Sequence, residues 1–226
     1  ISAFTQIQST GQRPLELAVI VPTFNEAANI APLLARLSAV LTDFQWEVVF
    51  VDDNSPDQTA NLVRQLARTH PHIRIVHRIG RRGLSSAVIE GMLASAAPVL
   101  AVIDGDMQHD EAILPDLVRA VADDRADIAV GTRYALGGGT QGWDATRLKL
   151  SRAATRLSHA ALRAPLSDPM SGFFALRRTT LEAALPKLSG IGFKILLDVV
   201  ASLPEVPRIA EFPYQFRNRM AGESKA

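Results

Sequence analysis

Apolar and polar positions change period repeatedly along the chain. Leu17 to Val21 is an unbroken apolar run closed by Pro22, and Trp46 to Val51, Ile73 to His77 and Val99 to Ile103 are further short runs rich in β-branched residues. Short apolar runs bounded by turn residues read as buried strands. Between them the spacing becomes helical: Ile30, Leu33, Leu34, Leu37 and Leu41 form a stripe after Asn25 or Glu26, and Leu62, Val63 and Leu66 form a second. A third helix is expected from about Ser85 to Ala96. Four strands alternating with helices predict an α/β fold with a mostly parallel sheet covered on both faces. Farther on, Leu114 to Val121 reads as a helix and Asp127 to Val130 as a strand. Asp168 to Leu176 reads as a turn entering a strand, Gly192 to Ile195 as a helix start, and Ile209 to Phe216 as a last extended piece. The glycine density of Gly137 to Gly142 is that of a lid. Residues 1–16 read as an N-terminal arm and 17–226 as one domain, with halves at 17–134 and 135–226.

Composition narrows the partners. A hydrophobic share of 47% with 21% charged residues is that of a globular protein, and no run reaches the length of a spanning helix, so the chain is expected to be soluble or peripheral. A net charge of +1 argues against nucleic acid as a partner. The lack of cysteine excludes disulfides, thiolate metal sites and a Cys nucleophile. The chain begins with Ile1 and stops after Ser-Lys-Ala, as a processed or trimmed chain does, so a membrane anchor in the gene product stays open.

The chemistry centres on the fourth strand, which is followed at once by Asp104, Gly105 and Asp106. Ligands of open α/β sheets bind beyond the carboxyl ends of the strands. Two aspartates around a glycine offer hard oxygen ligands to a divalent cation, and Mg²⁺ typically completes its shell with substrate phosphates. Taken alone, D-x-D is a weak motif, and the favoured reading is two solvated caps of the next helix; the rest of the chain shifts that balance. There is no G-x-x-x-x-G-K-[ST] and no G-x-G-x-x-G after the first strand. The turns instead carry Glu26, Asp53, Asp57, Asp104 and Asp106, a rim that holds a diphosphate only together with a cation.

Residues 145–167 contain no acid. On a helical projection Lys149, Arg152, Arg156, His159 and Arg163 share one face, opposite Leu150, Ala154, Leu157 and Ala161. This is the composition of a solvated face, and equally of a helix docked on an anionic membrane. Arg147 and Ser151 lie one turn apart at the edge of the apolar side, as a candidate phosphate pair.

Val21-Pro-Thr-Phe-Asn-Glu26, Val51-Asp-Asp-Asn-Ser-Pro-Asp57, Gly83-Leu-Ser-Ser-Ala87, Asp104-Gly-Asp-Met-Gln-His109, Gly131-Thr-Arg-Tyr134, Asp168-Pro-Met-Ser-Gly-Phe-Phe174, Gly192-Phe-Lys194 and Arg219 to Lys225 occur in this order. As a set they resemble the family 2 glycosyltransferases of the GT-A fold, most closely the polyprenyl-phosphate (dolichyl-phosphate) mannosyltransferases, over about residues 17 to 225. The resemblance implies that 17–134 binds a nucleoside diphosphate sugar and 135–226 the acceptor. It implies nucleotide-sugar contacts at Pro22, Phe24, Glu26, Val51, Asp53, Asp104, Gly105, Asp106, Arg133, Arg219 and Lys225, with Asp53 facing the base. It implies Mg²⁺ or Mn²⁺ on Asp106 and Gln108, an acceptor-phosphate pair at Arg147 and Ser151, and catalytic parts for Asp104, Asp106, Arg133 and Arg219. Phe24 stands where the family commonly has Tyr, and Gln58 where it commonly has Gly. The Q-x-x-R-W segment of processive relatives is missing, which argues against a polymer product. Phe173 and Phe174 read as packing residues, His109 as a helix-start residue, and Arg217 as a solvated charge.

The implied reaction is inverting transfer of a hexose, most simply mannose from GDP-mannose, to a polyprenyl monophosphate at the cytoplasmic face of a membrane. The alternatives are a UDP-glucose or other UDP-sugar transferase acting on the same lipid, and a non-catalytic nucleotide-sugar-binding scaffold. If Arg147 holds the acceptor phosphate, Arg147→Ala weakens acceptor use by a few kcal/mol, the scale of a lost charge-assisted bond. Donor affinity stays unchanged. Parallel acceptor and donor titrations check this, and an equal fall in both would assign Arg147 to the donor.

Overall fold

The computed structural model describes residues 13–134, 139–140 and 166–217. The first half alternates as its apolar pattern predicts: β1 (Leu17–Thr23), α1 (Ala27–Val40), β2 (Trp46–Asp52), α2 (Thr59–Ala67), β3 (Ile73–His77), α3 (Leu84–Ala94), β4 (Val99–Val102), α4 (Leu114–Ala122) and β5 (Ile128–Thr132). Two residues, Gly139–Thr140, form β6. The later part supplies β7 (Phe174–Arg177), α5 (Arg178–Ala184), α6 (Ile195–Ser202), β8 (Ile209–Pro213) and β9 (Gln215–Phe216). Among the described residues, no helix is long and apolar enough to cross a membrane.

Seven strands form one sheet in the order β3-β2-β1-β4-β7-β5-β8, so strands from before and after residue 135 share a sheet. All pairs are parallel except that β7 runs antiparallel to both β4 and β5. The apolar run at 173–176 marks a buried strand but not its direction, because side-chain alternation is the same either way along a strand. Burial of both faces explains the unbroken apolar runs. In β1, Leu17, Val19 and Val21 enter one core layer while Ala18 and Ile20 enter the other. Part of the glycine-rich stretch expected as a lid is paired, since Gly139–Thr140 lies parallel to β9.

Register brings the loops together. Thr23 stands opposite Asp52, and Asp52 opposite His77, so β1, β2 and β3 end level. β4 stops at Val102, opposite Ile20, and Ile103 N–H still donates to the Ile20 carbonyl. Asp104 therefore leaves the sheet beside the loop after β1.

That loop is clasped by the one after β2. Buried Asp52 accepts bonds from the Ser55 N–H and hydroxyl, and the Ser55 hydroxyl accepts from Asn25 N–H. Asp57 accepts from the backbone N–H groups of Ala27 and Thr59, so it caps α1 and α2 together. Asp57 thus leaves the acid rim expected from the sequence, because both its oxygens serve helix starts.

Gln58, the residue standing where glycine is common, has φ +70°. A side chain in the left-handed region costs roughly 1–2 kcal/mol. Its amide accepts only an exposed bond from Asn61. Gln58→Gly is therefore expected to raise stability by roughly 1 kcal/mol. The urea midpoint should move up with an unchanged slope, and a fall in midpoint would show that the Asn61 contact outweighs the backbone strain.

Candidate active site

A cavity of about 540 Å³ opens at the carboxyl edge. One wall is the loop after β1, with Pro22, Thr23, Phe24 and Glu26, and Asp53 follows from β2. Asp104, Gly105 and Asp106 line it from the end of β4. Arg82, Leu84 and Ala87 lie along the start of α3, and Gly192 and Phe193 close the far side. Seven of the residues singled out in the sequence thus meet around one space: Pro22, Phe24, Glu26, Asp53, Asp104, Gly105 and Asp106. Val51 does not line it. Its side chain is fully buried in the core, and its carbonyl accepts from the Thr23 hydroxyl.

The turn after β4 is held from beneath. Met107 adopts φ +65° with its side chain buried, a strained position that persists only where the surroundings enforce it. His109 Nδ1 accepts from Asp104 N–H at 3.3 Å, and Asp106 accepts from Gln108 N–H at 3.1 Å. His109 is stacked on Phe173, with Tyr214 and Phe216 edge-on. Burial pushes its pKa down to about 4, so the ring is neutral near pH 7 and Nδ1 is available as an acceptor. His109, just ahead of the helical turn at Glu111–Ile113, is therefore also a buried support of the Asp104 turn. Gly172 packs against the same turn. A Cβ there would come within 2.8 Å of an Asp104 carboxylate oxygen, so any larger residue would have to displace that carboxylate.

Arg217 is likewise no free surface charge. It pairs with Asp110 at 2.7 Å and Glu111 at 2.9 Å, and exchanges backbone bonds with Gln108: Arg217 N–H donates to the Gln108 carbonyl, and Gln108 Nε2 donates to the Arg217 carbonyl. With its nitrogen so used, the Gln108 side chain keeps a carbonyl oxygen. Asp104 and Asp106 line the cavity, and the Gln108 side-chain oxygen, two residues on, is a further hard donor in the same turn. Among the described residues no group of three His, Cys, Asp or Glu is gathered for a metal. Hard oxygen atoms of this kind suit Mg²⁺ or Mn²⁺ in their chemistry.

Arg133 follows β5 and is locked in a bidentate ion pair, Nε and Nη2 donating to the two oxygens of fully buried Asp168 at 2.7 and 2.8 Å. Burial works against its charge, and the Asp168 pair outweighs burial to lift the guanidinium pKa above its ordinary value. The Tyr134 and Phe216 rings flank it. A second buried arginine, Arg78, organises the other side. It donates to Asp53 at 2.8 Å, to the Gly83 carbonyl and to the Ser86 hydroxyl, and pairs with Glu90 at 3.2 Å. Gly83 N–H donates to the second Asp53 oxygen. Burial pushes the Asp53 carboxyl up, and the Gly83 and Arg78 bonds oppose that shift. Arg82 lies over the Phe24 ring, 4.5 Å from its centroid, and brings a cation to an otherwise acidic cavity. Asp168 stands in one of the quoted segments, but sequence reasoning assigns no part in the site to it, to Arg78 or to Arg82, because their contacts are with residues distant in the chain. Arg147, Ser151, Arg219, Lys225 and the basic face of Lys149, Arg152, Arg156, His159 and Arg163 lie outside the described residues.

The family model of glycosyl transferase family 2 matches residues 18–185. A dolichol-phosphate mannosyltransferase of Pyrococcus furiosus is 37% identical over 213 residues, covering 93% of this chain and 59% of the relative. One of Saccharomyces cerevisiae is 39% identical over 220 residues, covering 93% and 81%. The chain thus spans little more than half of the archaeal relative. Among solved structures, a mannosyltransferase from Pyrobaculum calidifontis in complex with GDP-Man and Mn²⁺ aligns with a TM-score of 0.65 at 22% identity, covering 93% of this chain and 58% of that one. At that identity the likeness is one of fold.

The Arg133–Asp168 pair sets up a test. Asp168→Ala strands a buried guanidinium and should cost about 3 kcal/mol or more. Adding Arg133→Met should recover most of that stability but no activity, because the fold needs the charges balanced while the site needs the arginine. Urea titration beside a transfer assay reads both. Recovery of activity in the double variant would make the pair purely structural.

Proposed function

The chain belongs to glycosyl transferase family 2, and from that membership we propose that it transfers mannose from GDP-mannose to a polyprenyl monophosphate of the dolichyl type. The reaction takes place at the cytoplasmic face of a membrane and inverts the anomeric carbon. The observation that carries this reading is the Asp104–Asp106 turn beside a cavity whose other walls are the loops after β1 and β2. The names of the archaeal and yeast relatives, dolichol-phosphate mannosyltransferase, support the mannosyl group and the lipid acceptor.

In this reading residues 17–134 hold the donor and residues 135–226 the acceptor. Asp53, held by Arg78 and Gly83, faces the base. Phe24 under Arg82 offers an aromatic face beside it. Asp106 and Gln108 would hold Mn²⁺ or Mg²⁺, which when bound neutralises charge developing on the leaving diphosphate. Arg133, aimed by Asp168, together with Arg219 and Lys225, adds positive charge for donor or acceptor phosphate. Arg147 and Ser151 take the acceptor phosphate.

A phosphate monoester loses its second proton near pH 6, so the acceptor is already an anionic nucleophile near neutrality. No side chain has to remove a proton from it. The protein's task is alignment: two anions must approach one sugar carbon from opposite sides, and cationic groups offset their repulsion. His109 fits this scheme as a buried, neutral support and not as a base.

A donor screen with one short, water-soluble polyprenyl phosphate tests the proposal. GDP release from GDP-mannose is expected, dependent on acceptor and on divalent cation, with UDP-glucose far poorer. Asp106→Ala should lower transfer roughly 100-fold or more while leaving the unfolding midpoint near that of the parent. Preferred UDP release would move the assignment to a UDP-sugar, and no release from any donor would leave a nucleotide-sugar-binding scaffold.

A further inference from the structure

Five large apolar side chains stand well exposed among the described residues: Ile79, Leu93, Ile191, Phe193 and Val206. Scattered exposed apolar residues need no explanation, but clustered ones do. Leu93, at the end of α3, and Val206, just before β8, belong to the amino edge of the sheet. Ile79 follows β3 at the carboxyl edge, where the cavity opens. Ile191 and Phe193 stand on a loop tied to that edge, because the Gly192 carbonyl accepts from Ser85 N–H at the start of α3. Ile191 is 81% exposed and Phe193 60%, and Phe193 also lines the cavity.

The loop is built to hold these residues outward. One Asp198 oxygen accepts from Ser189 N–H, the Ser189 hydroxyl and Gly190 N–H. The Ser189 hydroxyl in turn accepts from Ile191 N–H. Gly190 and Gly192, on either side of Ile191, have φ of +64° and +83°. Two left-handed residues and a saturated carboxylate thus present an isoleucine to solvent, with no packing gain in the chain itself. Cations accompany the apolar tips. Lys194 Nζ is 5.7 Å from the Phe193 ring centroid, and Arg82 is exposed at the cavity wall. Of the acids beside the loop, Glu90 is engaged by Arg81 and Arg78, and Asp198 by the loop itself, while Glu26, Asp53, Asp104 and Asp106 line the cavity. Apolar and aromatic tips flanked by cations are the composition that enters the interface of an anionic bilayer.

We propose that the 189–194 loop, with Ile79 on the neighbouring loop, is a membrane seat that inserts Ile191 and Phe193 into an anionic bilayer and holds the cavity mouth against it. The seat rests on the reading of a lipid-phosphate acceptor, and gives that acceptor a route into the cavity without leaving the interface. It is distinct from the basic face of residues 149–163.

Because the chain has no cysteine, single labels can be placed at will. Ile191→Cys and, on the opposite edge, Val206→Cys each receive an environment-sensitive dye and are mixed with phosphatidylcholine vesicles with or without phosphatidylglycerol. The dye at 191 should shift to shorter wavelength on the anionic vesicles, and the dye at 206 should not. Ile191→Asp and Ile79→Asp should each weaken vesicle binding roughly tenfold, the scale of losing one inserted isoleucine. Ile191→Asp should slow transfer to vesicle-embedded acceptor while leaving transfer to the soluble one unchanged. A silent dye at 191 overturns the seat, whether or not the protein sediments with vesicles, and so does equal slowing with both acceptors. The soluble-acceptor assay separates the two readings: transfer with a silent dye removes only the seat, and a shifted dye without transfer removes only the substrate assignment.

Discussion

Carboxylates crowd the carboxyl edge of this sheet, and the site depends on how each is compensated. Parallel register delivers Asp52, Asp53 and Asp104 to one level, and connecting loops add Glu26, Asp57 and Asp106. Such a concentration of like charge is stable only if each group finds N–H donors or cations, or remains where a bound cation can serve it. Asp52 and Asp57 are spent on backbone and hydroxyl donors, and in doing so bind the first two loops to each other. Asp53 is answered by Arg78 and Gly83, which draws the basic loop over the cavity. Asp106 accepts from Gln108 N–H, and Asp104 and Asp106 both line the cavity.

The same logic places the arginines. A buried guanidinium is costly without a partner, so Arg78 and Arg133 each sit in a fixed network rather than on a flexible stem. Asp168 comes from a loop 35 residues beyond Arg133, and Arg217 reaches back 109 residues to Gln108. The later part of the chain therefore braces the turn supplied by the earlier part.

The alternation of buried runs and helical stripes was legible without coordinates, because both the strand runs and the 3.6-residue helical stripe are local properties of the chain. Strands at 46–51, 73–77 and 99–103 and helices at 27–40 and 114–121 follow from it directly. The Asp-Gly-Asp turn was legible as a place at the end of a buried strand, and the structure puts both aspartates on the cavity wall. What the carboxyl groups do individually was not legible. Asp57 and Asp106 look alike in sequence, yet one caps two helices and the other lies at the cavity floor.

By itself, then, the sequence determined the α/β class, the family and the strand that carries the Asp-Gly-Asp turn to the cavity, since each rests on residues close together in the chain. Only the tertiary structure decided the antiparallel insertion of β7, the pairing of Arg133 with Asp168 and of Arg78 with Asp53, the support of the Asp104 turn by His109, and the outward aim of Ile191. Those depend on which distant backbone segments approach within hydrogen-bonding distance. That approach is set by sheet register and loop closure over the whole chain, and no local pattern of residues encodes it.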